Sequence, residues 1–260
     1  MLESNTMTAN ETGHTDHAAY DTSHSHEGRA ALAEFPLFRG AAAATHEMIF
    51  RHANLRRCNA DEEILSRDEQ AGDVYFVLKG EVRIVNYSAS GREVAYAIIP
   101  AGGYFGELSA IDGRPRSANV LAVDDCLLAT LTPGAFKEVL ASDPAIAARV
   151  MEKLVRIIRS ADDRILDLAT LSAYQRVYVE LLRMKKPDPV RPNSWLIYPL
   201  PTQAQIAALA STTRETVARV LSQLNHDHIA ERKSKTLYIR ELAKLQALAA
   251  KSQSETGKPN

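Results

Sequence analysis

The hydrophobic pattern of this chain changes its period at Pro144, and that change constrains the fold most strongly. After this point, apolar residues recur every three or four positions over about six helical turns. They are Ala147, Val150, Leu154, Ile157, Ala161, Ile165 and Leu168. A long helix with so narrow an apolar stripe is typical of two helices that pack lengthwise, although such a helix can also lie on its own domain. We therefore predict a central helix that packs against a partner helix.

The segment before this helix has the pattern of a β-domain. Between about Phe35 and Val139, short apolar or alternating runs are separated by Gly, Asn and Asp, and Gly80 and Gly91 fall where tight turns require a positive φ. The predicted strands cover residues 74–78, 81–87, 93–99, 118–122 and 127–131. Five or more short strands at near-regular spacing predict a barrel, sandwich or jelly roll.

A phosphate-binding pattern lies inside this β-domain, in residues 102–109 (GGYFGELS) and 115–118 (PRSA). A glycine turn before a short helix lets backbone N–H groups point at an anion, and Arg116 supplies a charged fork that matches a phosphate. Ser117 adds a hydroxyl donor, whereas Glu107 suits a ribose hydroxyl better than a phosphate. The alternative is a surface turn with an incidental arginine and glutamate. Two separated parts inside one β-domain favour a site for a nucleotide with a single phosphate.

Residues 202–224 predict two short helices joined by a tight turn. Thr202 and Thr213 can cap the two helices, and the small residues Ala210 and Ser211 allow the turn. One face of the second helix is apolar, with Val217, Val220, Leu221 and Leu224. The opposite face carries Arg214, Glu215, Ala218 and Arg219. An arginine there can contact guanine and a glutamate can contact cytosine, so we predict a DNA-reading helix rather than a helical hairpin with solvated charges.

Charge is divided unevenly between the two parts of the chain. Residues 1–170 carry 17 Lys and Arg against 25 Asp and Glu, a charge of -8, whereas residues 171–260 carry 14 against 7, a charge of +7. This indicates that the C-terminal part contacts a polyanion, although a chance imbalance of surface charge is the simpler alternative.

Composition excludes several classes of protein. Cys58 and Cys126 are the only cysteines, which excludes a disulfide scaffold, a Cys-rich zinc site and a four-Cys iron–sulfur cluster and fits a reducing cytoplasm. No apolar run is long enough for a membrane span, and the polar N-terminus does not have the pattern of a secretory signal. We find no nucleophile–base pair, metal-ligand set or P-loop, so we expect neither an enzyme, nor a metal, nor a membrane partner.

The first of these motifs resembles the phosphate-binding cassette of cyclic-nucleotide-binding domains. Residues 35–242 as a whole are similar to the catabolite activator/FNR superfamily of bacterial transcription regulators, with the segments in the same order. The resemblance implies an α+β fold with an N-terminal β-roll (a double-stranded jelly roll), a long dimerisation helix and a C-terminal winged helix-turn-helix. The implied organisation is a disordered tail at 1–28, a β-roll at 29–142, a dimerisation helix at 143–172, a DNA-binding domain at 173–245 and a tail at 246–260.

The resemblance also implies the ligand contacts. In the cassette they are Gly106, Glu107, Leu108, Ser109, Arg116 and Ser117. In cAMP-responsive members a Thr-Ser pair on the dimerisation helix contacts adenine, and here Ala161 and Asp162 occupy those positions. Asp162 could accept from an amino group of adenine or of guanine, so the base stays open between cAMP, then cGMP, then a cyclic dinucleotide.

For DNA, the resemblance implies contacts from Thr202, Gln203, Thr212, Thr213, Arg214, Glu215 and Arg219. It also implies a palindromic TGTGA-like site, a homodimer formed through helix 143–172, and RNA polymerase as a further partner. The alternative is a regulator that needs no effector, or takes another ligand such as cyclic di-GMP, and whose β-roll serves mainly for dimerisation.

Overall fold

The computed structural model describes residues 25–89, 91 and 93–250. Residues 1–24 of the predicted disordered tail and residues 251–260 of the predicted C-terminal tail lie outside the described residues. Helix α1 (Ser25–Ala33) begins within the range predicted as a disordered tail, and helix α9 (Leu242–Ala250) continues into the range predicted as the C-terminal tail.

The N-terminal domain is a β-roll of two four-stranded antiparallel sheets, which confirms the predicted fold class. Its strands are β1 (Asn54–Cys58), β2 (Glu63–Leu65), β3 (Val74–Lys79), β4 (Glu81–Tyr87), β5 (Glu93–Pro100), β6 (Tyr104–Phe105), β7 (Asn119–Ala122) and β8 (Cys126–Leu131). The sheet orders are β1-β8-β3-β6 and β2-β7-β4-β5, so the chain crosses repeatedly between the two layers. This interleaving gives the jelly-roll connectivity that regular strand spacing alone predicted only in outline.

Aromatic rings close one end of the β-roll. Phe76 on β3 lies edge-on to Phe35, with ring centroids 5.4 Å apart, and 5.1 Å from the ring of Phe38. Helix α2 (Ala43–His52) and helix α4 (Pro133–Ser142) cover this cluster, and Phe136 of α4 is fully buried in it. Each such ring stabilises the fold by about 1.5–3 kcal/mol relative to an exposed position.

Helix α5 (Pro144–Thr170) begins at a strong N-terminal cap, since the Asp143 carboxylate accepts from the N–H groups of Ala145 and Ile146. Its apolar residues form two faces rather than the single predicted seam. Ile146 and Val150 are buried in the β-roll core, and Leu154 packs against it. A second stripe is 48–66% exposed and consists of Met151, Val155, Ile158 and Ile165. The predicted seam therefore mixes residues that contact the chain's own domain with residues of a different, open face.

The C-terminal domain contains the predicted pair of short helices, α7 (Gln203–Leu209) and α8 (Arg214–His226). Helix α6 (Ala173–Met184) and α9 pack around them, and a four-stranded sheet borders them in the order β11-β12-β10-β9. Its strands are β9 (Lys186–Pro187), β10 (Trp195–Ile197), β11 (Ala230–Lys233) and β12 (Thr236–Ile239). The hairpin of β11 and β12 is the wing beside helix α8.

This C-terminal domain packs against the β-roll of the same chain. Ala208 of α7 is buried against Val85 and Ala95, and Leu209 and Leu121 pack at the edge of the same contact. Two further bonds fix α5 between the domains. The Arg164 guanidinium donates to the Tyr96 carbonyl at 2.7 Å, and that of Arg183 pairs with Asp167 at 2.6 Å. No helix in the described part of the chain is both long and apolar enough to span a bilayer.

Candidate ligand pocket and nucleic-acid interface

The cassette begins at a turn that only glycine can form. Gly106 follows β6 with φ of 85° and begins the short helix α3 (Glu107–Asp112). A Cβ at this position would lie 2.8 Å from the carbonyl oxygen of Asp73 and 2.9 Å from Nη1 of Arg116. The glycine thus provides both the left-handed backbone and the space for the arginine.

Arg116 is held rigidly beside this turn with 5% of its surface exposed. Its Nη1 donates to Ser109 Oγ at 2.8 Å and to the Gly106 carbonyl at 3.1 Å, and its Nη2 donates to the Asp73 carbonyl at 2.8 Å. Burial lowers the pKa of Arg116 from its ordinary value, although a guanidinium stays protonated in proteins. Its Nε has no hydrogen-bond partner among the described residues. Ser109 and two carbonyl groups therefore fix the plane of the positively charged guanidinium group.

Glu107 is 4% exposed and is paired with a residue that the sequence analysis missed. Its Oε1 lies 3.0 Å from Nζ of Lys153, which reaches across from α5. Nζ also donates to the Tyr104 carbonyl and lies 3.6 Å from the centroid of the Tyr104 ring. Burial lowers the pKa of Lys153, while the Glu107 carboxylate acts in the opposite direction. In the sequence, Lys153 is one of many charged residues between apolar ones, and no local pattern distinguishes it.

A cavity of about 780 Å³ lies between the β-roll, helix α5 and the C-terminal domain. This volume is within the range of about 300–1,000 Å³ that is usual for small-molecule sites. The predicted ligand residues that line it are Gly106, Glu107, Leu108, Ser109, Arg116, Ser117 and Ala161. The cavity is also bordered by Leu209, the last residue of α7, and by Ala210 and Ser211 of the turn that follows this helix. The structure thus brings the two parts of the cassette together with the long helix around one space.

Asp162 does not belong to the set of described residues that line this cavity. Its side chain is exposed, and its spacing of four residues from Ile158 and three from Ile165 places it on the open stripe of α5. The predicted pair at 161 and 162 is therefore divided, because one residue faces the pocket of its own chain and the other faces away from it.

The second predicted site lies at the start of α8. Arg214, Glu215 and Arg219 are all exposed, and Thr213 caps the helix by accepting from the Thr216 N–H at 3.3 Å. The pKa of Glu215 is lowered because its carboxylate accepts hydrogen bonds from the backbone N–H of Glu215 itself and from the Thr213 hydroxyl. At the start of α7, Thr202 and Gln205 form a reciprocal capping box, which provides partners for backbone N–H groups at the helix N-terminus.

Part of this surface faces the β-roll in the present arrangement. A crevice of about 530 Å³ is lined by Thr202, Thr212, Thr213 and Arg214 on one side and by Asp61, Arg83 and Glu93 on the other. Gln203, Glu215 and Arg219 do not line it on the described part of the chain. Arg214 thus points toward a surface that carries carboxylates, in a space too confined for a DNA duplex. Among the described residues, no group of three His, Cys, Asp or Glu side chains could hold a metal ion.

Two segments of the chain match models of known protein families. Residues 55–143 match the family model of the cyclic nucleotide-binding domain, and residues 175–248 match that of the Crp-like helix-turn-helix domain. Together these ranges contain the cavity-lining cassette and the helices α7 and α8.

Relatives match over most of their own length. The chain is 29% identical over 214 residues to the cyclic AMP receptor protein of Thermus thermophilus, and the matched region covers 82% of this chain and 96% of that protein. It is 24% identical over 197 residues to the cAMP-activated global transcriptional regulator CRP of Salmonella typhimurium, with 75% and 93% covered. Among solved structures, FixK2 from Bradyrhizobium japonicum superposes with a TM-score of 0.65 at 27% identity, covering 77% of this chain and 98% of that one.

Proposed function

Since this chain belongs to the catabolite activator/FNR superfamily of transcription regulators, we propose that it binds a cyclic mononucleotide and, as a homodimer, a palindromic DNA site. Members of this superfamily are DNA-binding regulators rather than enzymes, and that assignment holds for this chain. The identity of the effector, the dimer and the DNA sequence are the parts that we propose.

The observation that carries the proposal is the placement of Glu107, Arg116 and Ser117 on one cavity wall. A cyclic phosphate beside Arg116 would accept from the guanidinium and from the exposed Ser117 hydroxyl. The ribose hydroxyl would then donate to Glu107, and the base would extend toward Ala161 on α5. This order of groups matches a nucleotide whose single phosphate is closed onto its own sugar.

We rank cAMP first as effector, cGMP second and a cyclic dinucleotide third. Two of the relatives are named for cyclic AMP, which supports the first choice. Ala161 cannot form a hydrogen bond through its side chain, so this residue does not distinguish adenine from guanine. Asp162 could accept from a base only on the side of α5 that faces away from this cavity.

The homodimer would form along the open stripe of α5. Met151, Val155, Ile158 and Ile165 follow spacings of four, three and seven, which is the heptad pattern of a coiled coil. A second copy of α5 would bury these side chains, each at least 48% exposed here. Asp162 lies on the same stripe, and a polar residue at such a position fixes the register of paired helices at a cost in stability.

The proposed mechanism is a shift between two arrangements of the DNA-binding domain. In the present one, Ala208 packs on the β-roll and Arg214 lies in the narrow crevice. A nucleotide would touch the cassette, α5 and the turn at Ala210 and Ser211, so its contacts differ between the two arrangements, as a switching ligand requires. Once released, the two copies of α8 would enter major grooves about 34 Å apart.

On DNA, Arg214, Glu215 and Arg219 would read base edges of a TGTGA-like half-site. Thr202, Gln203 and Thr213 would bind the phosphate backbone, because their polar side chains lie at the first turns of α7 and α8. Thr212 precedes the cap of α8 and is only 8% exposed, so it would bind a phosphate only after a local rearrangement. We expect the protein in the cytoplasm, where it would meet DNA and RNA polymerase.

One observation favours a second candidate function, a DNA-binding protein that needs no effector. Glu107 is already paired with Lys153, and Arg116 is already bonded to Ser109 and two carbonyls. The Glu107 carboxylate and the two terminal nitrogens of Arg116 thus have partners without a ligand, as they would in a β-roll that serves only as a scaffold, and Nε of Arg116 is the exception.

Calorimetric titration with cAMP, cGMP and cyclic di-GMP distinguishes the two candidates. We expect the wild-type protein to bind a cyclic mononucleotide and to need it for tight binding to a palindromic duplex. Arg116→Leu should abolish the response to nucleotide with an unchanged circular dichroism spectrum, since water in the cavity can replace the lost donors. Equal DNA binding with and without nucleotide would instead establish the effector-independent function.

A further inference from the structure

Lys153 connects the long helix to the cassette through a buried ion pair. The side chains of Lys153 and Glu107 are 18% and 5% exposed, and their charged atoms lie 3.0 Å apart. A contact of Nζ with the Tyr104 ring and its bond to the Tyr104 carbonyl hold the lysine in place from the other side. A charge pair with so little solvent interacts strongly, and removal of one partner leaves the other charge uncompensated.

This pair neutralises two of the charged side chains that line the cavity. The charges of Lys153 and Glu107 cancel, which leaves Arg116 of the cassette and Arg156 of α5 as positive side chains near the pair. This positive excess favours an anion such as a cyclic phosphodiester. Without the lysine, the Glu107 carboxylate would offset part of this positive charge and oppose the approach of an anion.

We propose that Lys153 is a positioning residue that holds the Glu107 carboxylate in the orientation in which it accepts a hydrogen bond from the free ribose hydroxyl of the effector. This inference rests on the proposed function and names the part of the ligand that the ion pair selects, a ribose rather than a deoxyribose. The lysine reaches the ligand only through Glu107, so its effect differs from that of a direct contact.

The experiment compares two ligands and four proteins. We would titrate cAMP (or cGMP, if that binds the wild type) and its 2′-deoxy analogue into wild type, Lys153→Met, Lys153→Gln and Lys153→Arg at one fixed pH and salt concentration. Arg149→Met is the matched control, because Arg149 lies on the same helix and donates to the Leu37 carbonyl at 2.8 Å but does not line the cavity in the described structure. Lys153→Gln keeps a hydrogen-bond donor, so it provides a folded variant if Lys153→Met is unstable.

We expect the wild type and the Arg149→Met control to prefer the ribonucleotide. Lys153→Met and Lys153→Gln should lose most of this preference, whereas Lys153→Arg should retain much of it. An unchanged preference in both lysine variants, in a wild type that binds nucleotide, would overturn the role of Lys153 alone. A wild type that binds no cyclic nucleotide would overturn the proposed function and this role with it.

Discussion

Replacing Ala208 by glutamine should loosen the contact between the DNA-binding domain and the β-roll. Ala208 is 5% exposed, and its buried neighbours Val85 and Ala95 belong to the β-roll rather than to its own domain. The residue would therefore become exposed if the domains separated. A glutamine there must either overpack the contact or bury an amide among apolar groups, each of which costs about 1–3 kcal/mol.

This energy destabilises only the arrangement in which the DNA-binding domain packs on the β-roll. In the separated arrangement the glutamine side chain can extend into solvent. A shift of about 1–3 kcal/mol changes the ratio of the two arrangements by roughly 5- to 150-fold. Without nucleotide, affinity for a palindromic duplex should rise by up to this factor, until the open arrangement predominates. The added effect of nucleotide should shrink correspondingly.

Fluorescence anisotropy with a labelled duplex at fixed salt concentration measures this change directly. Ala243→Gln is the matched control, since Ala243 is exposed on α9 of the same domain. Unchanged or weaker DNA binding by nucleotide-free Ala208→Gln, with the control equal to wild type, would refute the reasoning. The contact would then have no part in restraining the domain.

Two further predictions concern the DNA-reading helix and the dimer. Arg214→Ala should weaken DNA binding by on the order of 1–3 kcal/mol and relax specificity at one G·C pair. Affinities for a panel of duplexes that each change one base pair measure this effect. Equal weakening on all of these duplexes would show that Arg214 contacts only phosphate. Ile158→Glu should convert the dimer to a monomer in sedimentation velocity, with little change in the melting temperature of the subunit, because Ile158 is 60% exposed. Arg159→Glu, at the neighbouring exposed position, is the control. A dimer that persists in Ile158→Glu would exclude the stripe as the interface.

The sequence predicted the fold class and the two motifs because each depends on residues close together in the chain. Strand spacing, the glycine at 106 and the caps at Thr202 and Thr213 act locally, and the structure shows the corresponding turns and helices. Cassette geometry was predictable for the same reason, since Gly106 and Arg116 lie only ten residues apart.

Contacts between distant segments could not be predicted in this way. The pair of Glu107 and Lys153 joins residues 46 positions apart, and no periodicity distinguishes that lysine from its neighbours on α5. The apolar pattern of α5 also could not show which of its residues would meet the β-roll and which would stay open, because both faces share a spacing of three and four. Packing of Ala208 on Ala95 depends on how two separately folded domains meet.

The turn at Ala210 and Ser211, which borders the cavity, has a consequence for the affinity of the protein for its effector. If bound nucleotide favours binding of an operator by the neighbouring helix α8, then a bound operator must strengthen nucleotide binding by an equal free energy. Protein at an operator would thus keep its effector at lower effector concentrations than protein diffusing through the cell. When the effector concentration falls, the unbound regulators would lose their effector first and the occupied promoters would keep theirs.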